Sequence, residues 1–315
     1  MRIAFVFPGQ GSQSVGMMAG FDAHPAIRST FDEASEVLEQ DLWALVTTGP
    51  EADLNQTVNT QPVMLTAGVA VWRAWNDASG AKPECVAGHS LGEYTALVAA
   101  GAIAFRDAVP LVRYRAQAMQ DAVPAGVGAM AAILGLDAST VAAVCAETVA
   151  KMGAGRVVDP VNFNGPEQIV IAGHKDAVEA AIELATEKGA KRGVLLPVSA
   201  PFHSSLMRPA AEKLATKLAS VPIAPPVIPV LHNVDVQQHS GADAIRRALA
   251  QQAAAPVRWV ETIQAFAARG VTHVVECGPG RVLAGLNKRI ARDLKSLALT
   301  DGADLEAARA ALAEK

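Results

Sequence analysis

The stretch ECVAGHSLGEYTALVAA, residues 84–100, decides the fold. Cys85-Val86-Ala87 is an apolar run with the look of a buried strand, and residues 93–100 have the look of a helix. Between them stands Gly88-His89-Ser90-Leu91-Gly92, a G-x-S-x-G in strand–turn–helix context. The two glycines relieve crowding in a tight turn and let the sheet and helix backbones approach. Such a turn holds the Ser90 hydroxyl out at the C-terminal edge of a sheet. The helix behind it aims unpaired backbone N–H groups at any oxyanion formed there. The motif alone is weak, but with strand and helix around it Ser90 reads as a nucleophile rather than an incidental turn serine.

Outward from this elbow, strand-like and helical runs alternate. Residues 2–7 read as a strand, 26–38 and 61–78 as helices, and 106–122 as a helix ended by Pro124-Ala125-Gly126. Further on, 204–220 reads as helix, 227–232 as extended and 257–269 as helix. Residues 271–277 read as a strand closed by Gly278-Pro279-Gly280, followed by helix over 282–294 and a terminal helix over 303–315. The alternation predicts an α/β fold with a mainly parallel sheet. The composition agrees: 51% of the 315 residues are hydrophobic but 4% aromatic, as suits Ala, Val, Leu and Ile in helices packed on such a sheet.

Residues 127–198 follow another pattern. Strands over 127–135, 157–162, 168–172 and 192–198 and helices over 139–152 and 176–188 give the order β-α-β-β-α-β, that of a ferredoxin-like unit. The expected organisation is a core of residues 1–126 and 199–315 with this subdomain inserted between Gly126 and Pro201.

A net charge of −4 gives no global attraction to nucleic acid or to a membrane surface. The apolar run in MRIAFVFPGQGSQ is too short for a signal peptide, and residues 96–105 are too few to span a bilayer. Cys85, Cys145 and Cys277 are isolated, with no Cys/His cluster suggesting metal, so buried free thiols in a reducing cytoplasm are expected.

A serine nucleophile needs a base at the same sheet edge. His273 starts its strand, at the opposite edge, and His89 adjoins the serine and cannot easily turn back onto it. His24, His174 and His239 sit in a loop, in the inserted unit and in a polar segment. His203 and His232 remain, each at the end of a strand. Position favours His203, which the Pro201-Phe202 loop stiffens at the subdomain junction, where clefts form. No carboxylate follows Ser90 at a suitable strand end before His203, except Asp159, so a Ser–His dyad with a neutral orienting group is expected.

Arg115 projects from the apolar face of its helix, with Ala108, Leu111, Val112, Ala118, Met119 and Ala122 around it; Arg113 lies on the wet face. A buried guanidinium needs an anion. An internal Asp or Glu would make it structural, and a substrate carboxylate would make it a binding fork. Spacing alone leaves both open.

These residues lie in motifs that resemble those of the malonyl-CoA:acyl carrier protein transacylases of bacterial fatty acid synthesis, related to the acyltransferase domains of polyketide synthases. The motifs are FVFPGQGSQ at 5–13, NTQPVMLTA at 59–67, GHSLGEY at 88–94, RYRAQAMQ at 113–120, NFNGPEQIVIAG at 162–173, PVSAPFHSSLM at 197–207 and ECGPGRVL at 276–283. The resemblance runs nearly end to end. It implies an α/β-hydrolase-like core with a ferredoxin-like insertion. It implies Ser90 as nucleophile, His203 as base and Arg115 as partner of the malonyl carboxylate. It further implies an oxyanion hole from the backbone N–H groups of Gln10 and Leu91, and a Gln252 carbonyl that steadies the histidine. Phe202, Gln61 and Asn162 fall in matching motifs beside the site. The activity implied is ping-pong malonyl transfer from malonyl-CoA to acyl carrier protein, with coenzyme A as leaving group and no prosthetic cofactor.

A serine thioesterase or carboxylesterase is the rival enzyme, and a carrier-protein scaffold with a dead site is the rival without chemistry. An acidic carrier protein would need a local basic patch on this acidic chain. Lys288, Arg292 and Lys295, spaced for one helical face, are one candidate, and Lys188, Lys191 and Arg192 are another.

Overall fold

The computed structural model describes residues 1–21, 24–78 and 80–313. Its strands are β1 (Ile3–Phe7), β2 (Cys85–Gly88), β3 (Gly128–Leu134), β4 (Val158–Gly165), β5 (Gln168–His174), β6 (Arg192–Leu195), β7 (Val230–Leu231), β8 (His273–Cys277) and β9 (Lys295–Leu299). They form two sheets. The first, ordered β7-β2-β1-β8-β9, is parallel throughout.

Every residue of β1 is buried, as expected of a strand covered on both faces. The two-residue period sends Phe5 and Phe7 to one side and Ala4 and Val6 to the other. On the first side the helix Thr57–Asp77 packs Trp72 and Trp75 against Phe5, with ring centroids 5.4 and 5.2 Å away. On the second side Trp259 and Phe266 of the helix Trp259–Ala268 join Leu283 and Leu286.

The second sheet, ordered β4-β5-β3-β6, is antiparallel. The helices Ala138–Met152 and Lys175–Glu187 cover one face, and Ala131, Ile133, Ile169 and Ile171 pack with them. Met130, Val170 and Ala172, of opposite parity, turn to the main core instead. The two parts are tied by backbone bonds from Phe163 N to Val257 O (3.0 Å) and from Val257 N to Val161 O (2.8 Å). The cleft lies where the Met130 face meets the C-terminal edge of the parallel sheet.

Three expectations change. The helix expected over 282–294 stops at Ile290, and the chain returns as β9 beside β8. Lys295 is therefore a strand residue and does not share a helical face with Lys288 and Arg292. The extended segment over 227–232 contributes just Val230–Leu231 to the sheet, because Pro222, Pro225, Pro226 and Pro229 remove backbone donors before it. Helix over 204–220 divides into a short turn at Ser205–Met207 and the helix Arg208–Leu218, with Pro209 in its first turn. The terminal helix runs Gly302–Ala313; residues 314 and 315 lie outside the described residues. Among the described residues no helix is long and apolar enough to cross a membrane.

Candidate active site

Strand β2 ends at Gly88, and the helix Gly92–Ala99 starts four residues later. Ser90 between them has φ 52°, a left-handed conformation that a non-glycine residue adopts at some cost. The flanking glycines are required by close approach. A Cβ on Gly88 would lie 1.8 Å from the Gly92 carbonyl carbon, and one on Gly92 would lie 2.0 Å from the Phe7 oxygen. His89 N donates to Phe7 O at 3.0 Å, which pins the turn to the end of β1. Ser90 N donates to Asn233 Oδ1 (2.8 Å), and Asn233 Nδ2 donates to Gly88 O (2.7 Å).

His203 is 3% exposed, with φ 65°. Its Nε2 lies 2.7 Å from Ser90 Oγ, and its Nδ1 lies 2.8 Å from the Gln252 carbonyl oxygen. A carbonyl accepts and cannot donate, so Nδ1 carries the proton and Nε2 is free to accept from the serine hydroxyl. Burial, reinforced by the nearby charge of Arg115, pushes the imidazole pKa down to about 3. The ring is therefore neutral at physiological pH.

The rival histidine is engaged elsewhere. His232 is fully buried with Nδ1 2.7 Å from Glu93 Oε1. His89 turns away from the serine, to Asn164 Oδ1 (2.7 Å) and the Trp259 ring. Asp159 accepts from Ser205 N and Oγ, each at 2.8 Å, so it does not orient His203.

Arg115 is 2% exposed. Nη1 donates to Gln61 Oε1 (2.7 Å), and Nη2 donates to Gln252 Oε1 (2.8 Å) and Ser90 Oγ (3.1 Å). Its guanidinium also lies 5.4 Å from the Tyr94 ring centroid. Every acceptor it uses is neutral, and among the described residues it forms no ion pair. Burial lowers its pKa from the ordinary arginine value, yet an arginine so high in the scale stays charged. The internal Asp or Glu that would make it a structural ion pair is not in contact with it.

These groups line a cavity of about 110 Å³ together with Gln10, Gln61, Leu91, Asn162 and Phe202. A larger groove of about 810 Å³ lies over Trp72 and Phe105, and neither Ser90 nor His203 lines it. Gln10 Oε1 accepts from Thr57 Oγ1 (2.9 Å), which accepts from Gln61 Nε2 (3.2 Å). That chain ties the Gln10 loop to the amide that holds Arg115. A Cβ on Gly9 would sit 2.5 Å from His89 O and 3.7 Å from Leu91 N. The loop carrying Gln10 is thus packed backbone to backbone against Leu91. Asn162 Oδ1 is buried without a partner. Among the described residues no group of three or more His, Cys, Asp or Glu could hold a metal ion.

Residues 4–308 match the family model described as acyl transferase domain. The chain belongs to the acyl transferase family. It is 53% identical over 308 residues to the malonyl CoA-acyl carrier protein transacylase of Salmonella typhimurium, with 98% of each chain covered. Its fold superposes with a TM-score of 0.96 on the acyl-carrier-protein S-malonyltransferase of Burkholderia pseudomallei, at 61% identity, covering 98% of this chain and 100% of that one. The same score relates it to a malonyl-transacylase solved in complex with its type II PKS acyl-carrier protein, at 50% identity over 99% of this chain and 100% of that one.

Below the elbow this acyl transferase holds a polar network that the sequence reading did not find. Glu93 is fully buried. Its Oε1 accepts from His232 Nδ1, and its Oε2 accepts from Asn233 N (3.0 Å) and Gln252 Nε2 (2.9 Å). Gln252 Nε2 also donates to Ser90 O (2.9 Å). Gln252 thus offers more than a carbonyl, since its side chain joins Arg115, the elbow and Glu93. A signal existed: Glu93 is the lone charge in the helix Gly92–Ala99, the kind of anomaly that drew attention to Arg115. Two of the basic residues outside the site also have partners. Lys188 pairs with Glu147 and Lys191 with Glu167, each at 3.3 Å.

Proposed function

We propose that this acyl transferase moves the malonyl group of malonyl-CoA to the phosphopantetheine thiol of acyl carrier protein, by a ping-pong route through malonyl-Ser90. The observation that carries the reading is Arg115. It is a buried cation with neutral acceptors alone, one hydrogen bond from the nucleophile. A carboxylate on the substrate would complete its pairing and set the thioester carbonyl beside Ser90 Oγ.

In the first half-reaction the Ser90 proton passes to His203 Nε2 as Oγ bonds to the thioester carbon. The Gln252 carbonyl, accepting from Nδ1–H, favours the ring orientation and the imidazolium that forms. The oxyanion takes hydrogen bonds from the backbone N–H groups of Gln10 and Leu91. The C–S bond then breaks, and coenzyme A leaves with the proton from His203. In the second half-reaction His203 takes the proton of the carrier thiol, whose sulfur attacks the ester. Ser90 Oγ leaves and recovers the proton. Coenzyme A is a substrate component throughout, and the chain needs no resident cofactor. Phe202 limits the room beside the malonyl methylene, and Gln61 and Asn162 line its berth.

The same reading divides the chain into an α/β-hydrolase-like core, 1–126 and 199–315, and a ferredoxin-like subdomain, 127–198. The strand order β4-β5-β3-β6 and the separate core under two crossing helices support that division. A cytoplasmic enzyme fits the three buried free cysteines. Intact-mass analysis after malonyl-CoA, in the parent and in Ser90→Ala, tests the intermediate. Radiolabel appearing as free malonate instead of on carrier protein would identify a hydrolase.

A further inference from the structure

The mechanism gives Glu93 no role, yet it is a fully buried carboxylate one side chain behind the site. Its partners are the backbone N–H of Asn233, the Gln252 amide and His232. His232 Nε2 is buried without a partner. A proton on Nε2 would have no acceptor there, whereas a proton on Nδ1 faces Glu93. Among the described residues no arginine or lysine touches Glu93.

Arg115 is in the mirror condition: a buried cation whose acceptors are all neutral. One side chain touches both. Gln252 Oε1 accepts from Arg115 Nη2 at 2.8 Å, and Gln252 Nε2 donates to Glu93 Oε2 at 2.9 Å. A carboxylate only accepts, so Glu93 fixes which way this amide points and turns its oxygen to Arg115. Burial works against the charge of Arg115, and the field of Glu93 works for it. The other titratable groups facing this space are His203, His89 and Tyr94, and none supplies an anion there.

We propose that Glu93 is the resident counter-ion of Arg115, held one amide away, and that it sets how strongly the site prefers a carboxylate-bearing acyl group over a neutral one. The inference rests on the reading that Arg115 pairs with the malonyl carboxylate. A carboxylate in direct contact would occupy the fork. At one amide's remove Glu93 balances the empty site and leaves the fork in contact with neutral acceptors alone. The substrate carboxylate then enters as a second anion in the field of Arg115. Glu93 therefore weakens malonyl binding relative to acetyl binding while stabilising the free enzyme.

Glu93→Gln tests this. The new amide oxygen can accept from Asn233 N and Gln252 Nε2, and its NH2 can face His232 in the other tautomer, so the change is chiefly one of charge. The expected result is a malonyl/acetyl ratio of kcat/KM raised at least about fivefold, mainly through a lower KM for malonyl-CoA, with a lower melting temperature. His232→Asn, which keeps a donor to Glu93, should leave the ratio at the parental value. A parental or reduced ratio in Glu93→Gln overturns the proposal, since a purely structural role moves both substrates together.

Gln61→Glu supplies an independent arm that does not depend on that variant folding. It sets a carboxylate directly on Arg115 Nη1. The malonyl/acetyl ratio of kcat/KM should then fall at least about tenfold. If it does not, an anion at Arg115 does not compete with malonyl, and Glu93 cannot act as proposed. Failure of the parent to form malonyl-Ser90 would instead overturn the functional reading, and this inference with it.

Discussion

Arg115→Ala distinguishes a substrate fork from a structural arginine. Truncation removes hydrogen bonds to Gln61, Gln252 and Ser90, and it frees two amide oxygens to meet water in the space left behind. Bonds to a charged group contribute about 1.5–3 kcal/mol each. Burying a guanidinium without a touching carboxylate costs several kcal/mol. The two nearly offset, and no carboxylate in direct contact is stranded. The melting temperature should therefore fall by no more than about 3 °C, the shift for ~2 kcal/mol in a chain of this size. Malonyl transfer should collapse. Two charge-assisted contacts to the substrate carboxylate total about 3–6 kcal/mol, a loss of at least ~10²-fold in kcat/KM. Acetyl-CoA makes no such contacts, so the variant should use it as well as the parent does, or better. Thermal melting with kinetics on both acyl-CoAs is the assay. A protein destabilised by more than about 10 °C that loses both activities equally would refute the fork.

Ser90→Ala should abolish the acyl adduct seen by intact mass, and His203→Ala should slow acylation at least ~10²-fold; an adduct that survives Ser90→Ala removes the nucleophile assignment. Phe202→Ser should narrow the preference for malonyl-CoA over its methyl-branched homologue by roughly ten- to a hundredfold, because a ring overpacked by one methyl costs about 1–3 kcal/mol; an unchanged ratio moves that discrimination elsewhere. With the His203 pKa near 3 instead of its ordinary 6.5, the acid limb of kcat/KM for Ser90 acylation should lie well below pH 6.5, and Arg115→Ala should raise it on acetyl-CoA by removing a positive neighbour. Folding keeps this ring unprotonated, so its contribution to stability is complete above about pH 6.5 and is lost as pH falls toward 3; denaturant melts across that window check the sign. Gly88→Ala should yield little folded protein, since the added Cβ would sit 1.8 Å from the Gly92 carbonyl carbon; a stable, active variant would mean the elbow can open.

The sequence was most legible where one residue type has few alternatives. Glycine at positions 88 and 92 is forced by backbone contact, so the elbow stands out in the chain itself. Arg115 was visible because a charge on an apolar helical face is anomalous under a 3.6-residue period, and its neutral partners support the fork over the internal ion pair. Position at a strand end pointed to His203. The fold added what position lacked: His232 ends β7 of the parallel sheet with its ring on Glu93, whereas His203 lies in the loop beyond β6 of the antiparallel sheet with its ring on Ser90. Strand β9 was missed because Lys295–Leu299 is five residues long and follows a helix without a glycine or proline break. The buried network was missed for a different reason. Glu93 meets its partners His232 and Asn233 across 139 and 140 residues of chain, and no local period encodes such a pairing.

On the proposed mechanism, the lack of a carboxylate beside His203 among the described residues fits a fork at Arg115. An Asp accepting from Nδ1 would raise the imidazole pKa and make a stronger base. It would also lie within reach of a guanidinium that already contacts Ser90 Oγ and the Gln252 side chain. An anion there would pair with Arg115 and fill the fork before substrate arrived. A backbone carbonyl orients the ring without supplying that charge. The weaker base is tolerable because a thioester is more reactive toward oxygen nucleophiles than an amide. Gln252 suits both demands from one position: its main chain steadies the base, and its side chain separates Glu93 from Arg115.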